Sequence, residues 1–385
     1  MDFNLTDEQA MFRDSVAGIS ERNLRDGALA RAHDPEYPWD VAEQMADAGL
    51  LGITVPESDG GVGGTLMDAV IAIEEVAKAC PRSADVIQAG NFGAIRVLAQ
   101  YGTEDQKERY LSKLLAGKGL IAVAMTEPQA GSAVTELSTT AVPDGKGWRI
   151  SGEKVFTTHG LHATVFLVYV RFGPGVDGIG SVLIERGAEG FSFGKPSRFL
   201  SGEDWNTLYF DNVYVGPEDV VLGPGGFKKQ ISGFNVERLG NSSRALALGR
   251  YAFNEAREHA LIRHQFKQPL VNFQGLQWKF SEMKIQAEAA QLLLYRAAAG
   301  ADSGFPSAQD TAIAKVACNR AGFAMANEAM QIMGGTGFSE ESLVEYCLRR
   351  TRGWMIAGGT IEILLNRIAE GVFEQRLPIK KVEAA

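Results

Sequence analysis

The sequence predicts an α+β chain in three successive parts: a helical segment over residues 1–120, a strand-rich segment over 121–224 and a second helical segment over 225–385. Two switches of residue pattern carry this division. From about Gly119 helical spacing gives way to short runs rich in β-branched and aromatic residues, and at Gly223-Pro224-Gly225-Gly226 helical spacing returns. A length of 385 residues also asks for more than one core.

The first segment carries helix-start signals. Thr6-Asp7-Glu8-Gln9 and Thr103-Glu104-Asp105-Gln106 each place a hydroxyl three residues ahead of a Gln, the pattern of a capping box. Pro38-Trp39 opens one helical run, Gly64 to Cys80 forms another, and Gly60 to Gly64 reads as a loop. In the second segment Leu120–Met125, Trp148–Thr158, Val165–Phe172, Ile179–Ile184 and Leu208–Val215 are separated by Gly, Pro and Asp, as antiparallel strands are. In the third, the spacing predicts helices over about Val236–His264, Phe273–Ala299 and Ala308–Met333, and a shorter one over Ile361–Gln375. There is no internal repeat or low-complexity run.

Charge narrows the partners. The net charge of -9 gives no general attraction for nucleic acid or anionic lipid, and no basic run offsets it. No apolar stretch reaches the roughly 18–20 residues that span a bilayer. Met1–Gln9 lacks the order of a signal peptide, and the three cysteines are scattered, so a reduced cytoplasmic setting is expected. Gly173-Pro174-Gly175-Val176-Asp177-Gly178 is a literal GxGxxG, but a strand follows it rather than a helix, which predicts a hairpin loop. His159 and His162 have no ligand partners at metal spacing, so no metal site is expected.

Four stretches carry more. Met125-Thr126-Glu127-Pro128-Gln129-Ala130-Gly131-Ser132 leaves a strand for a small-residue loop. Gln331 to Phe338 packs three glycines into four positions at a helix end, more than a C-cap needs. The others are Arg263-His264-Gln265-Phe266-Lys267-Gln268-Pro269-Leu270 with Phe273-Gln274, and Arg350 to Thr360. Singly each reads as a turn. In this order and spacing they resemble the acyl-CoA dehydrogenases over nearly the whole chain.

That resemblance implies an N-terminal helical domain, a central antiparallel β-barrel-like domain and a C-terminal four-helix bundle, with FAD between the last two and a homotetrameric assembly. It implies an acyl-CoA substrate and an electron-transfer flavoprotein as acceptor. By position it assigns Met125 and Thr126 to the flavin ring and Ser132 to the pyrophosphate and the substrate. Phe156 and Thr158 match a Trp–x–Thr pair beside the flavin, with Phe in place of Trp. Arg263, Phe266 and Gln274 match residues that reach the FAD of a neighbouring subunit, and Gln331 and Gly335 its adenosine side. Thr360 and Glu362 match the segment returning to the FAD phosphates, Glu362 standing where Gln is common. Lys267 and Ala133 depart from a frequent Gly and Asp.

The family reaction removes a proton next to a thioester carbonyl and a hydride from the following carbon. An amide N–H, matched here by Gly358, helps hold the charge on the thioester oxygen. Most members place the base in a Glu-Gly-Thr run, but this chain reads Gly358-Gly359-Thr360. A minority, isovaleryl-CoA dehydrogenases among them, carry it on an earlier helix. Here that position lies in Phe234-Asn235-Val236-Glu237-Arg238, with Glu237 matching the base and Phe234, Asn235 and Arg238 the substrate side. Taken alone, Glu237 reads as a solvated carboxylate in an acidic first helical turn; the resemblance and the empty position at Gly358 turn it into the expected base.

Two alternatives differ in class. The chain also resembles a sulfinopropionyl-CoA desulfinase and an enoyl-CoA reductase type, through Glu74–Cys80 and Ile356–Thr360. The desulfinase has Gln where Glu237 stands and an anion-binding Arg at the position of Asp85, which favours dehydrogenation here. A scaffold without catalysis is the other alternative, disfavoured by the retained flavin-contact motifs.

Overall fold

The computed structural model describes residues 4–301 and 305–377. It begins with helices α1 (Asp7–Leu24), α2 (Ala28–His33), α3 (Trp39–Asp47), α4 (Leu66–Ala79), α5 (Ala84–Asn91), α6 (Ala94–Tyr101) and α7 (Glu104–Leu115). Both expected capping boxes form: Thr6 and Gln9 exchange side chain-to-backbone bonds at α1, and Thr103 and Gln106 do so at α7. A third, Thr65 with Asp68, starts α4. Helix α4 is apolar nearly all round and is buried nearly all round, as such a helix must be. Its buried Glu74 is met by the Tyr295 hydroxyl at 2.7 Å.

The middle of the chain forms strands β1 (Ile121–Ala124), β2 (Thr140–Asp144), β3 (Gly147–Lys154), β4 (Val165–Arg171), β5 (Ile179–Glu185), β6 (Phe191–Phe193), β7 (Ser197–Arg198), β8 (Asp204–Trp205), β9 (Leu208–Val215) and β10 (Val220–Leu222). Eight of these make one sheet in the order β10-β5-β4-β2-β3-β9-β6, with β1 beside β4. The β1–β4 pairing is parallel, and β2 meets β4 in a parallel bridge, where the sequence pattern predicted antiparallel pairing throughout. The reason is the long excursion between β1 and β2, which returns the chain in the same direction. The Gly173–Gly178 loop joins the antiparallel pair β4–β5, as its surroundings predicted.

Burial in the strands follows their neighbours. Strand β9 alternates, with Leu208, Phe210, Val213 and Val215 inside and Tyr209, Asp211 and Tyr214 outside. Strands β4 and β5 are apolar on both faces because both are covered. Phe166, Val168 and Val182 face the sheet's own core, while Val165, Leu167 and Leu183 pack on α6 and α7. The buried pair Lys154–Glu127, at 2.7 Å, ties β3 to the loop after β1. Burial works against the Glu127 charge, but Lys154 and donors from Thr139 and Ser138 hold its pKa down to about 2.

The remaining chain is helical, apart from the short hairpin of β11 (His264–Gln265) and β12 (Gln268–Pro269): α8 (Phe227–Ile262), α9 (Gln274–Ala299), α10 (Ala308–Met333), α11 (Gly335–Phe338), α12 (Leu343–Trp354) and α13 (Ile361–Val372). Two differences from the sequence reading matter. Helix α8 starts nine residues earlier than the pattern suggested, because Lys228, Lys229 and Ser232 diluted the apolar spacing of its first turns. Helix α12 went unread because Arg350 and Thr351 look like turn residues, yet both are buried. Helices α8 and α10 cross closely: a methyl group on Gly322 would come within 2.1 Å of the Ala245 carbonyl oxygen. Among the described residues no helix is long and apolar enough to cross a membrane.

The crossing makes a test. Gly322→Ala should push α10 off α8 and destabilise the protein by about 1–3 kcal/mol, read as a lower denaturant midpoint.

Candidate active site

Glu237 is the centre of the site by chemistry and by placement. It lies about three turns inside α8, not in the first turn. The reading of a solvated carboxylate at a helix start therefore fails. Its side chain reaches across to the Phe92–Gly93 break between α5 and α6. A methyl group on Gly93 would lie 2.5 Å from Glu237 Oε2, and Gly93 holds a left-handed φ of 66°. Only glycine fits that backbone and leaves that space. Gln88 on α5 donates to the Glu237 backbone carbonyl at 3.5 Å. Gly240, one turn along α8, has no side chain because Gln88 fills its place, with Oε1 only 2.0 Å from where a methyl would stand.

The carboxyl keeps a little accessible surface, as a group on a substrate pocket needs, but it is enclosed by protein. Burial raises its pKa from the usual carboxylate range to about 7, against the opposing pull of Arg244, Gln88 and Lys315.

Across from Glu237 stands the turn between α12 and α13. Gly358 and Gly359 both have positive φ, 74° and 96°. Arg238 Nε donates to the Gly358 carbonyl at 3.0 Å, and its Nη1 donates to Asn235 Oδ1 at 2.8 Å. The same guanidinium lies 5.1 Å over the Phe234 ring. Burial lowers the Arg238 pKa to about 10, so it remains a cation at neutral pH. Thus Phe234, Asn235, Glu237, Arg238 and Gly358, read from separate parts of the sequence, come together at one place. Thr360 caps α13, its hydroxyl accepting from the Ile363 N–H at 3.4 Å. Glu362 is exposed beyond it.

The loops after β1 and β3 form a second group. The Val155 N–H donates to the Thr126 carbonyl at 2.8 Å, and Lys154 Nζ donates to the Met125 carbonyl at 3.2 Å. This sets Met125 and Thr126 beside Phe156 and Thr158. Phe156 is half exposed and has a left-handed φ of 56°, a costly conformation for an aromatic residue. The neighbouring Thr157 Oγ1 is buried without a partner. A strained ring facing outward beside an unsatisfied hydroxyl marks a surface shaped for a flat polar group. Ser132 is exposed in the same loop. Trp205 packs on Phe156 at 4.4 Å between ring centres.

Other expected residues are not here. Arg263 lies 26 residues along from Glu237, about 39 Å on a straight helix. Arg263, Phe266 and Gln274 are exposed around the α8–α9 hairpin, Phe266 87% so. Gln331 and Gly335 are exposed at the far end of α10. Within one chain they do not approach Glu237.

The structure adds residues that the sequence reading missed. Gly93, Gln88 and Gly240 shape the seat of Glu237, but single residues of these kinds leave no readable signal. Asp85 proves to be the centre of a buried cluster: Arg82 at 2.7 Å, Arg244 at 2.5 Å and Arg350 at 2.7 Å all hold it, and Arg82 and Arg350 also meet Glu203. Although burial opposes its charge, Arg350, Arg244 and Arg82 keep Asp85 ionised well below the usual carboxylate range. Arg244 and Arg350 lie over the Trp354 ring at 4.6 and 4.9 Å. Asp85 does not make this region acidic, so its presence no longer argues against an anion-binding pocket. His159, next to Thr158, is pushed down to about 3 by burial and by Arg82, and stays neutral.

Comparison with known proteins fits this arrangement. The models of the acyl-CoA dehydrogenase N-terminal, middle and C-terminal domains match residues 6–118, 122–213 and 224–373. The chain is 34% identical to a 3-sulfinopropanoyl-CoA desulfinase of Variovorax paradoxus, over 98% of this chain and 97% of that one. It is 32% identical to a short-chain specific acyl-CoA dehydrogenase of Clostridium acetobutylicum, over 97% and 100%. The structure of a glutaryl-coenzyme A dehydrogenase in complex with glutaryl-CoA superposes with a TM-score of 0.93 at 28% identity, covering 98% of both chains. The fold, the two facing loops and the matches along the whole chain agree: this protein belongs to the acyl-CoA dehydrogenase family of FAD-binding oxidoreductases.

Proposed function

We propose that the protein removes the α-proton of an acyl-CoA thioester with Glu237 as base and passes the β-hydride to FAD, giving an enoyl-CoA. The observation that carries this reading is the enclosed carboxylate of Glu237, seated on Gly93 and facing the Gly358–Gly359 turn. A carboxylate whose pKa is near 7 is half ionised at neutral pH, and it takes a proton far more readily than an ordinary surface glutamate. The Gly358 N–H is the donor for the thioester oxygen, and Arg238 fixes that turn through the Gly358 carbonyl. Bound FAD supplies the hydride acceptor. In this reading the strained Phe156, with Thr158, Met125 and Thr126, forms its seat. Ser132 meets the pyrophosphate, and Thr360 and Glu362 lie toward the phosphates.

The exposed residues at the other end of the bundle complete the reading. Arg263, Phe266, Gln274, Gln331 and Gly335 serve the FAD of a second copy of this chain. Phe266 and Phe338, 87% and 76% exposed, lie at that end and are the faces the second copy covers. An electron-transfer flavoprotein takes the electrons onward.

A second reading concerns the acyl group. Arg82, Arg244 and Arg350 outnumber Asp85 and Glu203 beside Glu237, so the cluster carries a surplus positive charge. A relative acts on a sulfinopropanoyl thioester and a structural neighbour holds glutaryl-CoA, both with an anionic far end. This favours an acyl group ending in an acid. Under that reading a glutaryl or succinyl thioester bleaches the flavin faster than a neutral thioester of equal length. Release of sulfite from sulfinopropanoyl-CoA without bleaching would assign the desulfinase chemistry instead.

The base is tested by anaerobic mixing of the yellow protein with acyl-CoA thioesters. Glu237→Gln should keep its FAD spectrum and lose at least about 10²-fold in the rate of flavin bleaching. Full bleaching by that variant removes Glu237 from the mechanism. The acid limb has a definite sign: kcat/KM of the wild type should rise with pH and level off above about 7, because the base works only when deprotonated. Gly93→Ala should also lose bleaching, since its methyl takes the place of the carboxylate.

A further inference from the structure

Behind the Gly358–Gly359 turn lies a lysine to which the reaction gives no role. Lys315, on α10, is completely buried, and its ammonium donates to the Trp354 carbonyl at 2.9 Å and to the Gly359 carbonyl at 3.3 Å. These carbonyls stand at the two ends of the turn from α12 to α13. The lysine stem also fills the floor beneath Gly358: a methyl group on Gly358 would lie 3.3 Å from Lys315 Cε. A buried ammonium is costly unless strongly compensated, and a neutral side chain would fill this space at lower cost. No carboxylate pairs with it among the described residues, and the carboxylate that acts on it is that of Glu237.

We propose that Lys315 is a positioning residue of the thioester site, which ties the two ends of the Gly358 turn together and supplies the positive charge that keeps Glu237 ready to take a proton. Arg238 and Lys315 then divide the work. Arg238 holds the peptide after Gly358, and Lys315 holds the peptide after Gly359, so two glycines with left-handed backbones stay in one conformation. The inference rests on the assignment of Glu237 as base.

The charges around both groups allow the coupling. Glu237 is faced by Arg244 on its own helix, by Gln88 on α5 and by Lys315 on α10. Lys315 is faced by Arg238 and Glu237 on α8 and by Cys318 on α10. Arg238 in turn feels Arg367 on α13 and Tyr169 on β4. Burial, and then Arg238, pull the Lys315 pKa down to about 7, while Glu237 opposes them. Each group therefore titrates in the range where the other does, and the two form one coupled pair.

The test uses the holoenzyme and a thioester that bleaches the wild type. Flavin reduction and thioester affinity are measured from pH 5.5 to 9 for Lys315→Met and Lys315→Arg, beside Glu237→Gln. Lys315→Met should retain FAD and bind the thioester within about threefold of wild type, yet reduce its flavin about tenfold or more slowly, since the loss falls on the transition state. Its acid limb should move up by about half a unit or more, because an opposing charge has been removed. Lys315→Arg, which keeps the charge, should leave the limb in place. A Met variant with the wild-type rate and limb overturns the proposal. Where Met does not fold, Lys315→Gln keeps a donor without the charge and is held to the same limb shift. Where neither neutral variant folds, an Arg variant whose limb moves as far as about half a unit overturns it. Glu237→Gln separates the two claims: if it still bleaches, both fall, and if it is dead while the lysine variants behave as wild type, only this one does.

Discussion

The arrangement depends on the enclosure of one carboxylate between two helical segments. Glu237 projects from α8 into a gap that exists because α5 and α6 break at Phe92–Gly93 and position 93 has no side chain. Removing a carboxylate from water favours its neutral form, and here burial outweighs Arg244, Gln88 and Lys315. The strands set one wall of the region and the bundle the other. The close α8–α10 crossing at Gly322 keeps Lys315 and Glu237 within one another's field.

The charged interior near Glu237 is unusual in amount. Arg82, Arg244, Arg350, Asp85, Arg238 and Lys315 are buried or nearly so, in a region where apolar side chains would pack at less cost. Cation–π contacts of Arg244 and Arg350 with Trp354 recover part of that cost. Trp354 also gives its carbonyl to Lys315, so one residue links the arginine cluster to the Gly358 turn. Charge retained at this expense in one corner of the protein is the pattern of a site built for a charged or charge-developing ligand.

Much of this was legible in the sequence, and the limits have physical causes. Capping boxes at Thr6 and Thr103 were readable because they are local. The strands β4 and β5 were readable because burial on both faces writes a continuous apolar run. Helix α12 was hidden because its buried Arg350 and Thr351 are polar, and burial of polar residues depends on partners such as Asp85 that are distant in the chain. The first turns of α8 were hidden by their lysines, which made Glu237 look like a helix-start residue. Its neighbours Gly93 and Gln88 could not be foreseen, since nothing local distinguishes a glycine that makes room from one that makes a turn. The parallel β1–β4 pairing likewise depends on where a long excursion returns.

The central claim is that the enclosed carboxylate takes the proton from the carbon beside the thioester. Exchange of that hydrogen in heavy water tests it without relying on onward electron transfer. A substrate-like acyl-CoA is incubated with the holoenzyme under anaerobic conditions, and deuterium at the α-carbon is read by mass spectrometry. The account predicts that the wild type exchanges the α-hydrogen and that Glu237→Gln, with FAD bound, does not; exchange by that variant at the wild-type rate would contradict it.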